Sequence, residues 1–546
     1  MNCKNIIVLF VFSLLCISQA NAQALLGVKK SSFVDKSEKS VNAYSKITEA
    51  LTMYEQAPNS TDKCLALLLQ AYQYKKTNAV LNYNIGVCYL NSDSKIKASK
   101  YLLEAYDLKP TVSKDICYQI GRSHQYQYEF LKALKMFQKN IEILVNSKKA
   151  NKNQGLIEIC EKSIDECKSG LNLQALDRKQ TVYPLDNTVN SKYNDLNPIE
   201  KGSTFYFSSQ REASAKGKLL EKVYSVSTDQ NQGVKKENIP FRTYSNLALV
   251  AFSDDEYIFY SGLNGGGDFI PAEYKNGKWI SKGSLPTINS ASSREASACI
   301  AGDEFYFVSD RQGTLGECDI YYCSKEKNGR WSKAKNIGAE INTVFDEADV
   351  FVTPDGKEMY FNSKGHNSMG GYDIFKCVRS SDGKWSKPVN MGIPVNSPFN
   401  DIQYFKSAKG AEYFSSERNG GAGGFDIYSI GKVVEKEVVK AKPQAPKTSA
   451  SPAEQAPVKK ANKEIVPELI YRVQILACKK EASVEELYKI YNGKEVIEQQ
   501  FLEEWHKYAI GKFKTYREAE AFKNTCGIEG AFIVLFKNGK PLKVKR

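Results

Sequence analysis

The chain has 546 residues, ordinary apolar content and a formal charge of +14. That length suits three or four domains rather than one. A basic total permits contact with anionic lipid, acidic polymer or nucleic acid without selecting any of them, and beyond the first residues no stretch approaches 18 apolar residues, which argues against an internal spanning helix.

The opening, "MNCKNIIVLFVFSLLCISQANAQ", has Lys4, an apolar run from Ile6 to Ile17, and the small residues Ala20-Asn21-Ala22. This is the pattern of a secretory leader over residues 1–22 and predicts a mature chain beginning at Gln23. Cys16 follows Leu14-Leu15, where lipid attachment calls for a small residue, so a lipid anchor is not expected. Thirteen cysteines include Cys3 and Cys16, which depart with the leader. The rest form no C-x-x-C, which argues against zinc and thioredoxin-like chemistry. Cys478 and Cys526 fall in one small domain and are the best candidates for a disulfide. Most of the others are expected to be buried thiols.

Residues 40–175 are predicted helical, with alanines and long apolar residues three and four apart. Ile85, Gly86 and Tyr89 fall on one helix. Ala98, Leu102 and Ala105 fall on the next, which Pro110 ends. Gly86 and Ala98 permit close helix approach, and Leu102 and Ala105 face the seam. Ile120, Gly121, Ala133 and Phe137 repeat the pattern 35 residues later, and Ala50, Tyr54 and Ala57 read as the second helix of an earlier copy. This spacing resembles the tetratricopeptide repeat, which implies a superhelix of stacked pairs with a concave groove for a protein segment. His124 stands where that repeat usually has tyrosine.

Residues 180–431 repeat an apolar strand ending in serine: "FYFSS" at Ser209, "YIFYS" at Ser261, "FYFVS" at Ser309, "MYFNS" at Ser363 and "EYFSS" at Ser416. The steps are 52, 48, 54 and 53 residues. The aspartates Asp268, Asp319, Asp373 and Asp426 follow the last four, each opening a further strand. Three units then carry a turn and a tryptophan, at Trp279, Trp331 and Trp385. Asn-Gly and Asp-Gly before those tryptophans favour tight hairpins. Each unit is therefore a small antiparallel sheet of about four strands, and five units predict a five-bladed propeller. "LDNTVNSKYNDL" at 185–196 matches "MGIPVNSPFNDI" at 391–402, so one blade is expected to take a strand from each end of the region, which removes an open edge. The glycines before the aspartates are read as turn residues, and the aspartates as caps accepting backbone N–H bonds. A phosphate loop would need a helix after the glycines, and a strand follows. "FDEAD", with Asp346, Glu347 and Asp349, raises a calcium site, but the corresponding "REAS" and "FNDI" hold fewer acids, so no metal is expected. "SDRQG" at 309–313 and "SERNGGAGGFDIY" at 416–428 resemble the WD40-like repeats of TolB-type periplasmic propellers.

Residues 432–467, rich in Lys, Ala and Pro, cannot offset the entropy of folding by burial and read as a tether. Residues 468–546 predict a small α+β domain of order β-α-β-β-α-β, with helices capped at Ser483 and Thr515. "YRVQI" and "IGKFKTYREAEAF" resemble SPOR domains, which implies binding of peptidoglycan glycan strands on the sheet face that helices leave uncovered. "QILAC" departs from the commoner Gln-x-Gly-x-Phe ending of that strand. The residues assigned to that face are Tyr471, Gln474, Tyr508, Lys512 and Phe513. An RNA-binding sheet shares the topology, but export argues against nucleic acid.

The fold class is thus multidomain: an all-α tetratricopeptide-like superhelix, an all-β five-bladed propeller, and a small SPOR-like α+β domain. No G-x-S-x-G appears in strand-to-helix context, and His124, His366 and His506 fall in three different domains, with His366 expected in a solvated loop. No enzyme and no cofactor are therefore expected. The layout resembles periplasmic proteins of Bacteroidetes-type bacteria, related in plan to the peptidoglycan-linked component of the type IX secretion and gliding apparatus. That resemblance implies a periplasmic scaffold, peripheral to the outer membrane, that meets envelope proteins through helical groove and propeller faces and the wall through its last domain. A glycan or peptide sensor acting through the propeller, and a cell-wall glycan hydrolase built on two carboxylates, are the alternatives.

Overall fold

A computed structural model describes residues 24–35, 37–57, 60–147, 150–176, 180–212, 219–229, 233–240, 246–254, 256–263, 266–432, 468–491, 493, 495–502 and 504–542. The leader at 1–22 and nearly all of the tether at 432–467 lie outside the described residues. The chain divides into two compact units, one of residues 1–137 and 163–431, the other of residues 138–162 and 432–546.

The first unit opens with stacked helices: α1 (Lys30–Phe33), α2 (Glu38–Gln56), α3 (Thr61–Tyr74), α4 (Ala79–Leu90), α5 (Ala98–Leu108) and α6 (Ile116–Gln125). Helix α7 (Phe130–Val145) and α8 (Gln154–Gln174) follow, with their residues 138–162 belonging to the second unit. Small residues set the pairing. A Cβ on Gly86 would lie 2.5 Å from Leu102, and one on Gly121 would lie 2.5 Å from Phe137, so each glycine receives the large side chain of the next helix. Ala50 and Tyr54 are buried on α2, which is the first member of its pair and not the second. Helix α2 ends at Gln56, and α3 starts at Thr61 to supply the partner.

The rest of this unit is built from twenty strands in five four-stranded antiparallel sheets. Strand β1 (Gln180–Pro184) comes first. Sheet 1 holds β2 (Asp195–Lys201), β3 (Thr204–Ser209), β4 (Lys222–Ser227) and β5 (Lys235–Lys236). Sheet 2 holds β6 (Asn246–Phe252), β7 (Tyr257–Leu263), β8 (Gly266–Lys275) and β9 (Lys278–Ser281). Sheet 3 holds β10 (Glu295–Ala301), β11 (Glu304–Ser309), β12 (Asp319–Ser324) and β13 (Lys335–Asn336). Sheet 4 holds β14 (Glu347–Val352), β15 (Glu358–Ser363), β16 (Asp373–Val378) and β17 (Val389–Asn390). Sheet 5 holds β18 (Asp401–Lys406), β19 (Glu412–Ser416) and β20 (Asp426–Lys432), and β1 completes it by pairing with β20.

The first strand of each sheet neighbours those of the sheets before and after it, and β18 returns to β2, so the five sheets form a closed propeller-like ring. A repeated asparagine joins neighbours. Asn342 accepts the Ile320 N–H (2.9 Å) and donates to the Ile320 carbonyl (3.0 Å) of the preceding sheet, and Asn396 treats Ile374 the same way (2.8 and 2.8 Å). Asn190 does so to Ile427 (2.8 and 3.0 Å), which places the same staple at the seam between the two ends of the region. The glycines that precede the repeated aspartates serve this packing. A Cβ on Gly316, Gly370 or Gly423 would lie 1.9, 2.2 and 2.2 Å from the carbonyl oxygens of Phe345, Pro398 and Tyr193 on the next sheet. Their small size, rather than a turn conformation, is what the fold uses.

The helices pack on the end of the ring that carries these loops. Tyr126 meets Phe399 at 4.8 Å between ring centroids, Lys95 pairs with Glu417 at 3.1 Å, and the Gln125 side chain donates to the Met369 carbonyl at 3.1 Å.

In the second unit β21 (Leu469–Cys478), α9 (Val484–Ile490), β22 (Ile497–Leu502), β23 (Trp505–Phe513), α10 (Tyr516–Thr525), β24 (Phe532–Lys537) and β25 (Lys540–Pro541) form a five-stranded sheet of order β22-β23-β21-β24-β25 with two helices. Both helices begin in capping boxes, Ser483 with Glu486 and Thr515 with Glu518. Gly527 follows α10 at φ +69°. Within this unit Glu161 accepts the Tyr516 N–H (2.8 Å) and Glu142 pairs with Lys537 (2.7 Å). Cys478 and Cys526 are free thiols, so the expected disulfide is absent; Cys478 Sγ faces the His506 carbonyl and Cys526 Sγ the Lys523 carbonyl of its own helix turn. Among the described residues no helix is long and apolar enough to cross a membrane.

Candidate functional site

The repeated residues come together as a structural device at the end of the ring that faces the helices. Ser209, Ser309, Ser363 and Ser416 close the second strands of their sheets and are fully buried, and Ser261 is buried at the corresponding place in β7. Ser416 donates to Asp401 (2.6 Å) and Ser309 to Glu295 (3.3 Å), acids that open the first strands. Two residues beyond the serine an arginine completes the set. Arg418 donates to Asp401 (2.5 Å) and to the Val395 carbonyl (2.5 Å), with its guanidinium 5.0 and 5.1 Å from the centroids of Phe414 and Tyr428, which stack on each other. Arg311 with Glu295 and Arg211 with Asp195 repeat this at 2.8 Å. These arginines were not singled out from the sequence, although "SSQR", "VSDR" and "SSER" carry the Ser-x-Arg signal.

Asp319 accepts the N–H groups of Leu315 (2.9 Å) and Gly316 (3.2 Å), Asp373 that of Met369 (3.0 Å), and Asp426 that of Gly423 (3.1 Å). Asp268 differs: it is exposed on β8. Trp279 is buried and donates to Glu237 (2.9 Å). Trp331 packs on Phe305 (5.4 Å), and Trp385 lies under Arg379 (5.3 Å) and beside Tyr306 of the preceding sheet.

Sheet 2 lacks this arginine, having Leu263 two residues beyond Ser261, and sheet 4 breaks the pattern too. Gly365 stands where the arginine should be, and its Cβ would meet Thr343 Oγ1 at 2.3 Å. His366 takes over part of the role. Its Nε2 lies 2.9 Å from the Ile341 carbonyl and its ring packs on Phe361 and Phe375, although one edge stays exposed. Among the described residues no guanidinium reaches Glu347, and burial pushes its carboxyl up to about 8 against the pull of Thr343 and Ser363. The folded state holds this proton where the unfolded chain has released it. Stability from this group is therefore present below the unfolded value near 4.5 and falls as pH rises toward about 8. Glu347→Gln is expected to raise ring stability at pH 8.5 by roughly 2–4 kcal/mol and to change it little at pH 4.5, as read by urea unfolding at the two pH values.

The three acids of "FDEAD" separate. Asp346 pairs with Lys364 (2.9 Å), Glu347 with Ser363 (2.7 Å), and Asp349 alone turns to the ring axis. Among the described residues no group of three or more His, Cys, Asp or Glu is placed to hold a metal ion.

Along the axis lies a cavity of about 600 Å³, lined by the first strands of all five sheets. Ile199, Phe252, Ile300, Phe351 and Phe405 line it together with the charged Glu200, Lys201, Asp254 and Lys406. The first strand of sheet 2 is bulged at Val250, and those of the other four sheets are bulged at one level nearer their starts. There Asn197, Ser297, Asp349 and Gln403 form a polar floor, with Asn197 and Gln403 at φ +54° and +57°. One residue back, Leu196, Ala348 and Ile402 join Tyr372 and Phe425 in a buried apolar cluster. The Asn197 N–H donates to Gln403 Oε1 (2.9 Å). Asn197 Nδ2, Gln403 Nε2 and both Asp349 carboxyl oxygens have no hydrogen-bond partner among the described residues. Burial pushes Asp349 up to about 7; the Ser297 hydroxyl and the Gln403 backbone amide pull it down without completing a bond of ordinary geometry.

On the C-terminal sheet the five residues named from the sequence fall on opposite faces. Tyr471 packs edge-on against Tyr516 of α10, Tyr508 is buried with its hydroxyl accepting the Ala482 N–H, and Phe513 packs on Phe522. These three belong to the core under the helices and not to the uncovered face. Bulges in the pairing of β21 with β23 shift the alternation, and the large rings go where apolar surface can be covered. Gln474 and Lys512 do lie on the uncovered face. There Glu498 pairs with Arg472 (2.5 Å) and Lys512 (2.9 Å), Arg472 stacks on Phe536, and Gln500 and Lys507 stand beside Gln474.

No family model and no curated protein matches the chain. Among solved structures it is similar to a puromycin hydrolase (12% identity, TM-score 0.28, 43% of this chain and 37% of that one). It is also similar to TolB from Acinetobacter baumannii (13%, 0.29, 50% and 70%) and to the RS223 beta-xylosidase (13%, 0.30, 46% and 94%). The chain thus spans little more than a third of the puromycin hydrolase.

Proposed function

We propose that this chain is a non-enzymatic periplasmic scaffold that ties an outer-membrane-associated complex, of the type IX secretion and gliding kind, to peptidoglycan. In this reading the stacked helices are tetratricopeptide-like, the ring is a five-bladed WD40-like propeller, and the C-terminal domain is SPOR-like. The observation that carries it is the uncovered face of the C-terminal sheet. Gln500, Lys507 and Lys512 offer amide and cationic donors to sugar hydroxyl and acetyl oxygens, Phe532 adds an exposed ring at the same face, and Arg472 and Gln474 are buried among them at 8% and 9% exposure. Supporting it, the helices and the ring pack into one unit through Tyr126, Phe399 and the Lys95–Glu417 pair, which suits a platform for envelope proteins.

The test is co-sedimentation of the full chain with peptidoglycan stripped of its stem peptides. The chain is expected to pellet with stripped glycan, and Gln474→Ala with Lys512→Ala is expected to weaken retention about tenfold, worth ~1.4 kcal/mol. A chain that stays in the supernatant, or retention untouched by the double substitution, contradicts the reading.

A further inference from the structure

We propose that the floor of the ring cavity is a second binding site, for a hydroxyl-bearing ligand of the saccharide class held by Asn197, Asp349 and Gln403. This goes beyond the wall-tether reading and does not rest on it.

A buried polar group without a partner is costly, and native structures keep few of them. Here four such atoms converge at one level of one cavity: two amide donors and two carboxyl oxygens. Gln403 and Asp349 are 6% and 4% exposed and their unpartnered atoms each carry under 1 Å² of accessible surface, so a ligand in the cavity reaches them through a rotamer change that turns them toward it. They come from sheets 1, 4 and 5, and bulges turn them to the axis. Ordinary alternation would not place them so.

The donor set selects the ligand chemistry. An ammonium or guanidinium satisfies Asp349 but leaves Asn197 Nδ2 and Gln403 Nε2 facing another donor. A carboxylate or phosphate satisfies the amides but meets Asp349. A hydroxyl accepts from an amide and donates to a carboxyl at once, and neighbouring hydroxyls on a sugar ring do this for both sides of the floor. Above the floor, Phe252, Phe351 and Phe405 present apolar surface for the C–H faces of such a ring. The volume of about 600 Å³ accommodates a mono- or disaccharide.

The experiment is titration calorimetry of the full chain with N-acetylglucosamine, N,N′-diacetylchitobiose and 1,4-diaminobutane. It is run on a Gln474→Ala, Lys512→Ala background so that the C-terminal sheet adds no heat. At least one of the two sugars is expected to bind, with affinity lowered about tenfold or more by Asp349→Ala, and the diamine is expected not to bind. Asp349→Ala removes an unpartnered carboxyl, so its folding, followed by ring tryptophan fluorescence, is expected to be unimpaired. Should that variant fail to fold, Ser297→Ala and Asn197→Gly report on the same floor. Absence of sugar binding, sugar binding unchanged by these substitutions, or binding of the diamine alone overturns the proposal.

Discussion

Arg418→Ala is expected to destabilise the five-sheet ring by roughly 3–5 kcal/mol. Arg418 holds together the Asp401 carboxylate, the Ser416 hydroxyl at 2.9 Å and the Pro394 carbonyl at 2.8 Å, and it packs against the stacked pair of Phe414 and Tyr428. Truncation leaves Asp401, which is fully buried, without its counter-charge. Burial already pushes that carboxyl up against the pull of Arg418 and its serine neighbours. Without the guanidinium it rises further, so the deficit is largest at alkaline pH and shrinks as Asp401 takes up a proton in acid. Arg211→Ala is expected to cost less, because its side chain is 20% exposed against 11% for Arg418 and water replaces part of what is lost. Urea unfolding followed by the fluorescence of Trp279, Trp331 and Trp385 reads both variants, since all three tryptophans lie in the ring.

The second large effect is expected at the closing seam. A Cβ on Gly423 would lie 2.2 Å from the Tyr193 carbonyl oxygen and 2.6 Å from that of Ser191. Both are backbone atoms, which no rotamer change can clear. Gly423→Ala is therefore expected to cost about 3 kcal/mol, at the upper end of overpacking, by forcing sheets 1 and 5 apart. Gly383→Ala is the control. It sits at φ +83° with open space around it, so only the backbone term applies, about 1 kcal/mol. Thermal unfolding of the two variants is expected to separate them clearly, with Gly423→Ala the lower.

Much of this architecture was legible in one sequence because the ring repeats itself. Five serine-ended strands and four aspartates recur at nearly constant spacing, and the match of 185–196 to 391–402 announced the seam that Asn190 and Ile427 now close. Position within the repeat was harder to read than its existence. The glycines before Asp319, Asp373 and Asp426 look like turn residues, and only the neighbouring sheet shows that space, not φ, is what they supply. Asp268 follows the spacing but lies exposed. On the C-terminal sheet, aromatic character pointed Tyr471, Tyr508 and Phe513 outward, whereas two bulges and the covering helices draw them in. The cavity floor was invisible for a different reason. Asn197, Ser297, Asp349 and Gln403 are about fifty or a hundred residues apart and meet only when the ring closes.

Closure is thus the claim on which the seam, the cavity and its floor all depend. Native-state hydrogen exchange measured at the seam residues Leu185, Asp195 and Ile427 tests it most directly. If the ring is closed, the amides of Leu185, Asp195 and Ile427, which donate to Ile427, Phe425 and Asn190, exchange as slowly as those of β11 and β15 and open with the same free energy. Rapid exchange at these amides while β11 and β15 remain protected would show an open array, and the cavity would go with it.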